Sequence, residues 1–159
     1  MGDRGPGGLV IPFSREGDDL VASFTTVEVG LLSELLDQLG ELLAFRDDSD
    51  PALARLVPDA YRDDPEAASE FRRLMADELV GRKEANARAL RDSLAEGRVR
   101  LSPAQVQSWL RSLTDLRLVI ASRLGIENDD DRGADDPFLQ DVYGWLGYVQ
   151  SSILDALED

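Results

Sequence analysis

At 159 residues the chain has the length of one ordinary domain, and its hydrophobic fraction of 43% and charged fraction of 31% place it among globular proteins. It contains no cysteine and no histidine, which excludes disulfides, zinc fingers, thiol or serine–histidine nucleophiles and the imidazole proton shuttle. A formal net charge of -15 opposes association with phosphate backbones, so the whole-chain charge argues against direct DNA binding by this chain alone.

The N-terminal MGDRGPGG lacks the apolar stretch of about 7 to 15 residues found in a secretory signal. No apolar run approaches the roughly 20 residues that span a bilayer. A cytoplasmic location with no membrane partner is expected, and residues 1–8 are expected to be disordered. Leu9 to Phe13 and Leu20 to Phe24 are short apolar runs separated by SREGDD, whose Gly17 and paired aspartates are turn chemistry. This predicts a β-hairpin over residues 9–24. An isolated hairpin is marginal in water, so it is expected to pack on the helices or to pair with another edge.

Residues 25–159 read as a helical body. Thr25 and Glu28 match a capping box, and Leu32, Leu35, Leu36, Leu39 and Leu43 follow at helical spacing, joined by Leu31 and Leu42. Asp50 before Pro51 starts a short helix to about Val57, ended by Pro58. Asp64 with Pro65 starts a longer helix reaching about Glu96, with Gly97 as its stop and Phe71, Leu74, Met75, Leu79, Leu90 and Leu94 as its buried face. Gly81 in its interior points to a bend, a close contact or a tolerated defect. Arg98 to Leu101 reads as a short link. Ser102 to Gln105 is a second capping box, opening a helix to Leu124 that is the most apolar and the expected centre of the fold. An acidic loop fills 126–136. Asp136 and Pro137 start the last helix, with Phe138, Val142, Trp145, Leu146, Val149 and Ile153 on one stripe. The expected fold is mainly α: a single domain of about four main helices and a short one, with the hairpin packed on it.

Charge is unevenly spread. Arg72 to Arg123 holds eleven of the seventeen bases and six acids, a local balance of +5, which leaves six bases and twenty-six acids, or -20, elsewhere. Arg72, Arg73, Arg82, Lys83, Arg88 and Arg91 are therefore candidate contacts to an acidic partner, with solvated helix faces as the alternative. Tyr143 and Tyr148 lie off the main stripe of the last helix and are candidate exposed contacts, whereas Trp109 and Trp145 read as core. Asp115 and Arg117 sit inside the apolar segment LTDLRLVI; with Arg123 and Glu70 they form a candidate structural charge network, with partner contacts from the outer face as the alternative. Helical carboxylates pair with arginines at short spacing, as Glu78 with Arg82 and Glu84 with Arg88.

No catalytic centre, metal or cofactor is expected. Taking Asn128 as the first position of an EF-hand puts Arg132 at the fifth ligand position and Leu139 where the bidentate Glu belongs, so NDDDRGADD reads as a solvated connector. A carboxylate di-iron site needs a Glu-x-x-His motif that a chain without histidine lacks.

Four segments resemble the AosR family, small actinobacterial proteins long described as a domain of unknown function. They are RLVPDAYRDD from Arg55 to Asp64 with EFRRL soon after, WLRSLTDLRLVIASRLGI from Trp109 to Ile126, VYGWLGYVQSSI from Val142 to Ile153, and the leucine-rich first helix. In order and spacing the resemblance covers nearly the whole chain apart from the N-terminal few residues and the acidic loop. It implies a cytoplasmic regulator of the response to oxidants that acts with an RNA polymerase sigma factor and is often encoded beside the protease adaptor ClpS. Two departures matter. The redox role implied by the family uses an intramolecular cysteine pair that is absent here, and Thr114 stands where the family leads one to expect Asn. The resulting expectation is a non-enzymatic regulatory protein with a protein partner, a sigma factor first. The alternative is a homodimeric or ClpS-linked interaction protein assembling through the hairpin edge or exposed aromatics.

Overall fold

The structure, a computed structural model, describes residues 13–47, 49–58, 66–94, 97–126 and 135–158, the side chains of 66–69 excepted. Among the described residues five helices and three strands follow in the order β1 (Ser14–Glu16), β2 (Asp19–Ser23), α1 (Thr26–Phe45), α2 (Pro51–Leu56), α3 (Glu66–Leu94), β3 (Arg98–Leu101), α4 (Pro103–Leu124) and α5 (Pro137–Glu158). The mainly helical fold with an N-terminal hairpin packed on it is thus as the sequence predicts.

The helix starts follow from their capping chemistry. At α1 the Thr25 hydroxyl accepts from the Glu28 N–H at 3.1 Å, and the Glu28 carboxylate accepts from the Thr25 N–H at 2.7 Å. Ser102 and Gln105 repeat this reciprocal arrangement at α4, with Pro103 inside the first turn. The carboxylates of Asp50 and Asp136 accept from the N–H groups of Ala52 and Leu139, opening α2 and α5. Gly125 closes α4 in the left-handed region at φ 75°.

The sheet corrects two readings. The first strand is Ser14–Glu16, inside the segment read as a turn, because the two-residue loop Gly17-Asp18 suffices to reverse the chain; Glu16 pairs directly with Asp19 and Gly17 has φ 67°. Residues 9–12 of the apolar run lie outside the described residues. Arg98–Leu101, read as a link, is a third strand, antiparallel to β2 with Leu20 opposite Leu101 and Ala22 opposite Val99. Its alternation of exposed Arg98 and Arg100 with buried Val99 and Leu101 is the period-2 signature of a half-buried strand. Gly97 makes this pairing possible. Its carbonyl accepts from the Phe24 N–H at 2.7 Å, its φ is 96°, and a Cβ there would lie 2.4 Å from the Phe24 carbonyl oxygen.

α4 is the central helix, packing against α1, α2, α3 and α5 and against the sheet. Trp109 on it is fully buried, with Phe13 and Phe24 at ring-centroid distances of 5.6 and 5.8 Å, and Trp145 of α5 reaches Phe24 at 6.4 Å. These rings join the sheet to two helices through edge-on and offset contacts. Two apolar sets fall outside the core. On α3, Phe71 is 64% exposed, and Leu74 and Met75 are also exposed; Leu90 and Leu94 are buried as predicted, Leu79 is half-buried, and Ala76, Val80 and Ala87 complete the buried stripe. Phe138 at the start of α5 is 65% exposed, although the rest of its predicted stripe is buried or half-buried. A Cβ added at Gly81 would meet nothing within 4 Å, so this glycine marks no close contact.

Candidate interaction surface

Much of the charge segregation seen in the sequence is matched inside the fold. Arg91 pairs with Asp37, Arg100 with Glu16 and Asp19, and Arg123 with Asp50. Each pair joins a base of the basic middle segment to an acid from outside it. Arg46 and Asp77 form the reverse combination. The Arg123 guanidinium donates to both Asp50 carboxylate oxygens, at 2.7 and 3.0 Å, holding this carboxyl below its ordinary pKa while it caps α2.

Lys83 is matched within the fold as well, because its ammonium donates to Asp115 Oδ1 at 2.7 Å between α3 and α4, with side-chain exposures of only 17% and 4%. Burial pushes the Asp115 carboxyl above its ordinary pKa, and the Lys83 ammonium opposes that rise. Asp115 Oδ2 accepts no hydrogen bond among the described residues. The predicted network is therefore three separate contacts. Arg117 lies elsewhere, its guanidinium 4.4 Å from the Tyr143 ring centroid and donating to Gln150 Oε1 at 3.2 Å. Gln150 in turn donates to the Thr114 hydroxyl at 2.8 Å, so Thr114 helps to fasten α4 to α5. Tyr143, read as exposed, is half-buried beneath Arg117; Tyr148 is 37% exposed. Glu70 is exposed and joins none of these contacts.

Of the remaining predicted contacts, Arg72 is half-buried and engaged, whereas Arg73, Arg82 and Arg88 are exposed and pair with no acid among the described residues. The short-spacing pairs Glu78–Arg82 and Glu84–Arg88 are not closed. Arg82 stands instead at a groove of about 400 Å³ between α3 and α4, with Lys83, Asn86, Arg111, Thr114 and Asp115, and with Leu79 and Leu110 as apolar walls. Three cations against one carboxylate make this groove locally positive on a molecule of net charge -15. Arg111, which sequence reasoning passed over, is exposed across the groove from Arg82 and likewise pairs with no acid among the described residues. Its signal was position: it lies seven residues before Leu118 and three before exposed Thr114, on the outer face of α4. A second hollow of about 610 Å³ between α1 and α3 has mixed charge, lined by Asp37 and Glu41 of α1 and by Glu84, Arg88 and Arg91 of α3. Among the described residues no three carboxylates are grouped to hold a metal ion, and no helix is long and apolar enough to cross a membrane.

The fold is thus that of a small helical protein with a locally positive groove between α3 and α4. More particularly, residues 10–157 match the family described as Domain of unknown function (DUF2017), and the chain belongs to that family. It is 33% identical to AosR of Mycobacterium leprae over 68% of its own length and 58% of that protein, so it spans little more than half of this relative. It is 26% identical to the proteins named "Oxidative stress regulator AosR" in Mycobacterium bovis and Mycobacterium tuberculosis, over 89% of the chain and 83% of each relative. The resemblance seen in the sequence is therefore upheld at low identity. No solved structure matches the chain.

Proposed function

We propose that the chain is a non-enzymatic regulatory adaptor of the cytoplasmic response to oxidants, binding an RNA polymerase sigma factor through the basic surface of α3 and α4. The observation that carries this reading is the groove at Arg82 and Arg111. Lys83, Arg91, Arg100 and Arg123 find acidic partners within the fold, whereas Arg82 and Arg111 are exposed and brought to one groove on a strongly acidic protein. Such a surface favours an acidic protein patch and steers its approach. The relatives named as oxidative stress regulators support the stress role. With no cysteine in the sequence, regulation here operates without a thiol–disulfide switch.

The test is direct titration of the purified protein against each sigma factor of its own cell. One-to-one binding that weakens with added salt, and weakens further in the Arg82→Glu/Arg111→Glu variant, is expected. Absence of binding to every sigma factor defeats the partnership. Retarded DNA in a low-salt gel with this protein alone defeats the protein-only mode of action.

A further inference from the structure

Phe71, Met75, Leu79 and Arg82 follow one another at intervals of four, four and three residues and so share one face of α3. This row is distinct from the buried one. Phe71 and Met75 are exposed, Leu79 is half-buried at the wall of the groove, and Arg82 lines the groove with Arg111 across it. From Phe71 and Met75, past exposed Glu78, to Arg82 and the neighbouring Arg111 the surface changes from apolar to charged over eleven residues, about 16 Å along the axis, or three turns of helix.

Neighbouring large apolar side chains at the surface mark interaction sites, and unpaired cations fix the sign of what covers them. Nucleic acid fits poorly, because two cations on a molecule of net charge -15 release few counterions and phosphates make no use of Phe71 or Met75. A second copy laid face to face would set this positive surface against itself. A helix fits, since apolar residues at i and i+4 match the spacing of Phe71 and Met75. Resting on the regulatory reading above, we propose that this surface docks an amphipathic acidic helix of the partner. Its apolar stripe lies over Phe71 and Met75, and its carboxylates, two to three turns further along, meet Arg82 and Arg111.

Three fluorescein-labelled helical peptides of about 18 residues test this: one acidic and amphipathic, one with its acids replaced by lysine, and one of the same acidic composition scrambled to remove the apolar stripe. Fluorescence anisotropy with the full chain is expected to detect the first alone. Arg82→Glu/Arg111→Glu and Phe71→Ser/Met75→Ser are each expected to weaken it by roughly tenfold or more, the first pair also flattening the salt dependence. All four positions face the surface, so circular dichroism and the melting temperature should stay at wild-type values. Equal binding of the three peptides, or none, overturns the proposal. So does unchanged binding in the apolar variant, or a concentration-dependent mass in sedimentation that this variant abolishes, which assigns the face to a second copy. Titrating a sigma factor against the same variants separates the two readings: undiminished binding to Phe71→Ser/Met75→Ser keeps the sigma partnership and removes this docking mode.

Discussion

Replacing Lys83 by Met removes the partner of a carboxylate that is 96% shielded from solvent at its side chain while retaining the aliphatic volume of the lysine stem. At 2.7 Å and an effective dielectric of about 20 the attraction between the two charges is about 6 kcal/mol. Desolvation offsets much of that in the wild type, but removal of one ion leaves the other uncompensated, so the expected loss is about 3 to 5 kcal/mol at neutral pH. The sign of the pH dependence follows from the direction of the shift. Burial already raises the Asp115 carboxyl above its unfolded value, and losing Lys83 removes the charge that opposes this rise. A raised folded-state value means that the native protein holds the proton more tightly than the unfolded chain. Stability is then fully present below the unfolded value near 3.8 and falls as pH rises through the folded one. The Lys83→Met deficit is therefore expected to be largest at neutral pH and to shrink toward about pH 4. Urea unfolding followed by tryptophan emission, at neutral and acid pH, reads both effects because Trp109 is fully buried. A deficit below about 1 kcal/mol at neutral pH, or an equal deficit at both pH values, refutes the reasoning.

Gly97→Ala is expected to cost more than about 1 kcal/mol, because its Cβ meets the Phe24 carbonyl at 2.4 Å and its φ is 96°. Gly81→Ala, with open space around it, is expected to stabilise by about 1 kcal/mol in the same thermal or urea melts. Thr25→Ala removes one side of a capping box and is expected to cost about 1 kcal/mol, measured by the same unfolding curves. Arg123→Ala is expected to cost less than about 1 kcal/mol, since the pair is partly exposed. The Asp50 carboxyl lies low in the wild type, so the pair's contribution is present above the unfolded value and lost as pH falls through the folded one. The variant should raise the Asp50 pKa in an NMR titration and flatten that acid-side loss.

The helices were legible where local chemistry specifies them. Both capping boxes, the Asp50 and Asp136 caps and the Gly125 stop are short-range patterns, and the structure realises each. The third strand was hidden because Arg98–Leu101 is four residues long and owes its conformation to pairing with β2, a partner about eighty residues earlier. Leu90 and Leu94 of α3 are buried as their spacing predicts, but toward its N-terminal end the large side chains Phe71, Leu74 and Met75 lie outside while small ones face inward. Ala76, Val80, Lys83, Ala87, Leu90 and Leu94 step by four, three, four, three and four, and that row faces the core with a lysine in its middle. An inward lysine requires an acid opposite, and Asp115 among the buried residues of α4 supplies it. The basic segment misled in part because a sequence balance does not reveal which acids from elsewhere in the chain fold against it.

Hydrogen exchange of the protein alone and with the sigma factor proposed as its partner tests the central claim most directly. Slowed exchange concentrated in residues 71–86 of α3 and 110–118 of α4 is the expected result. Protection confined to the sheet or to α5, with those two segments unchanged, contradicts the assignment of the partner to the α3–α4 surface.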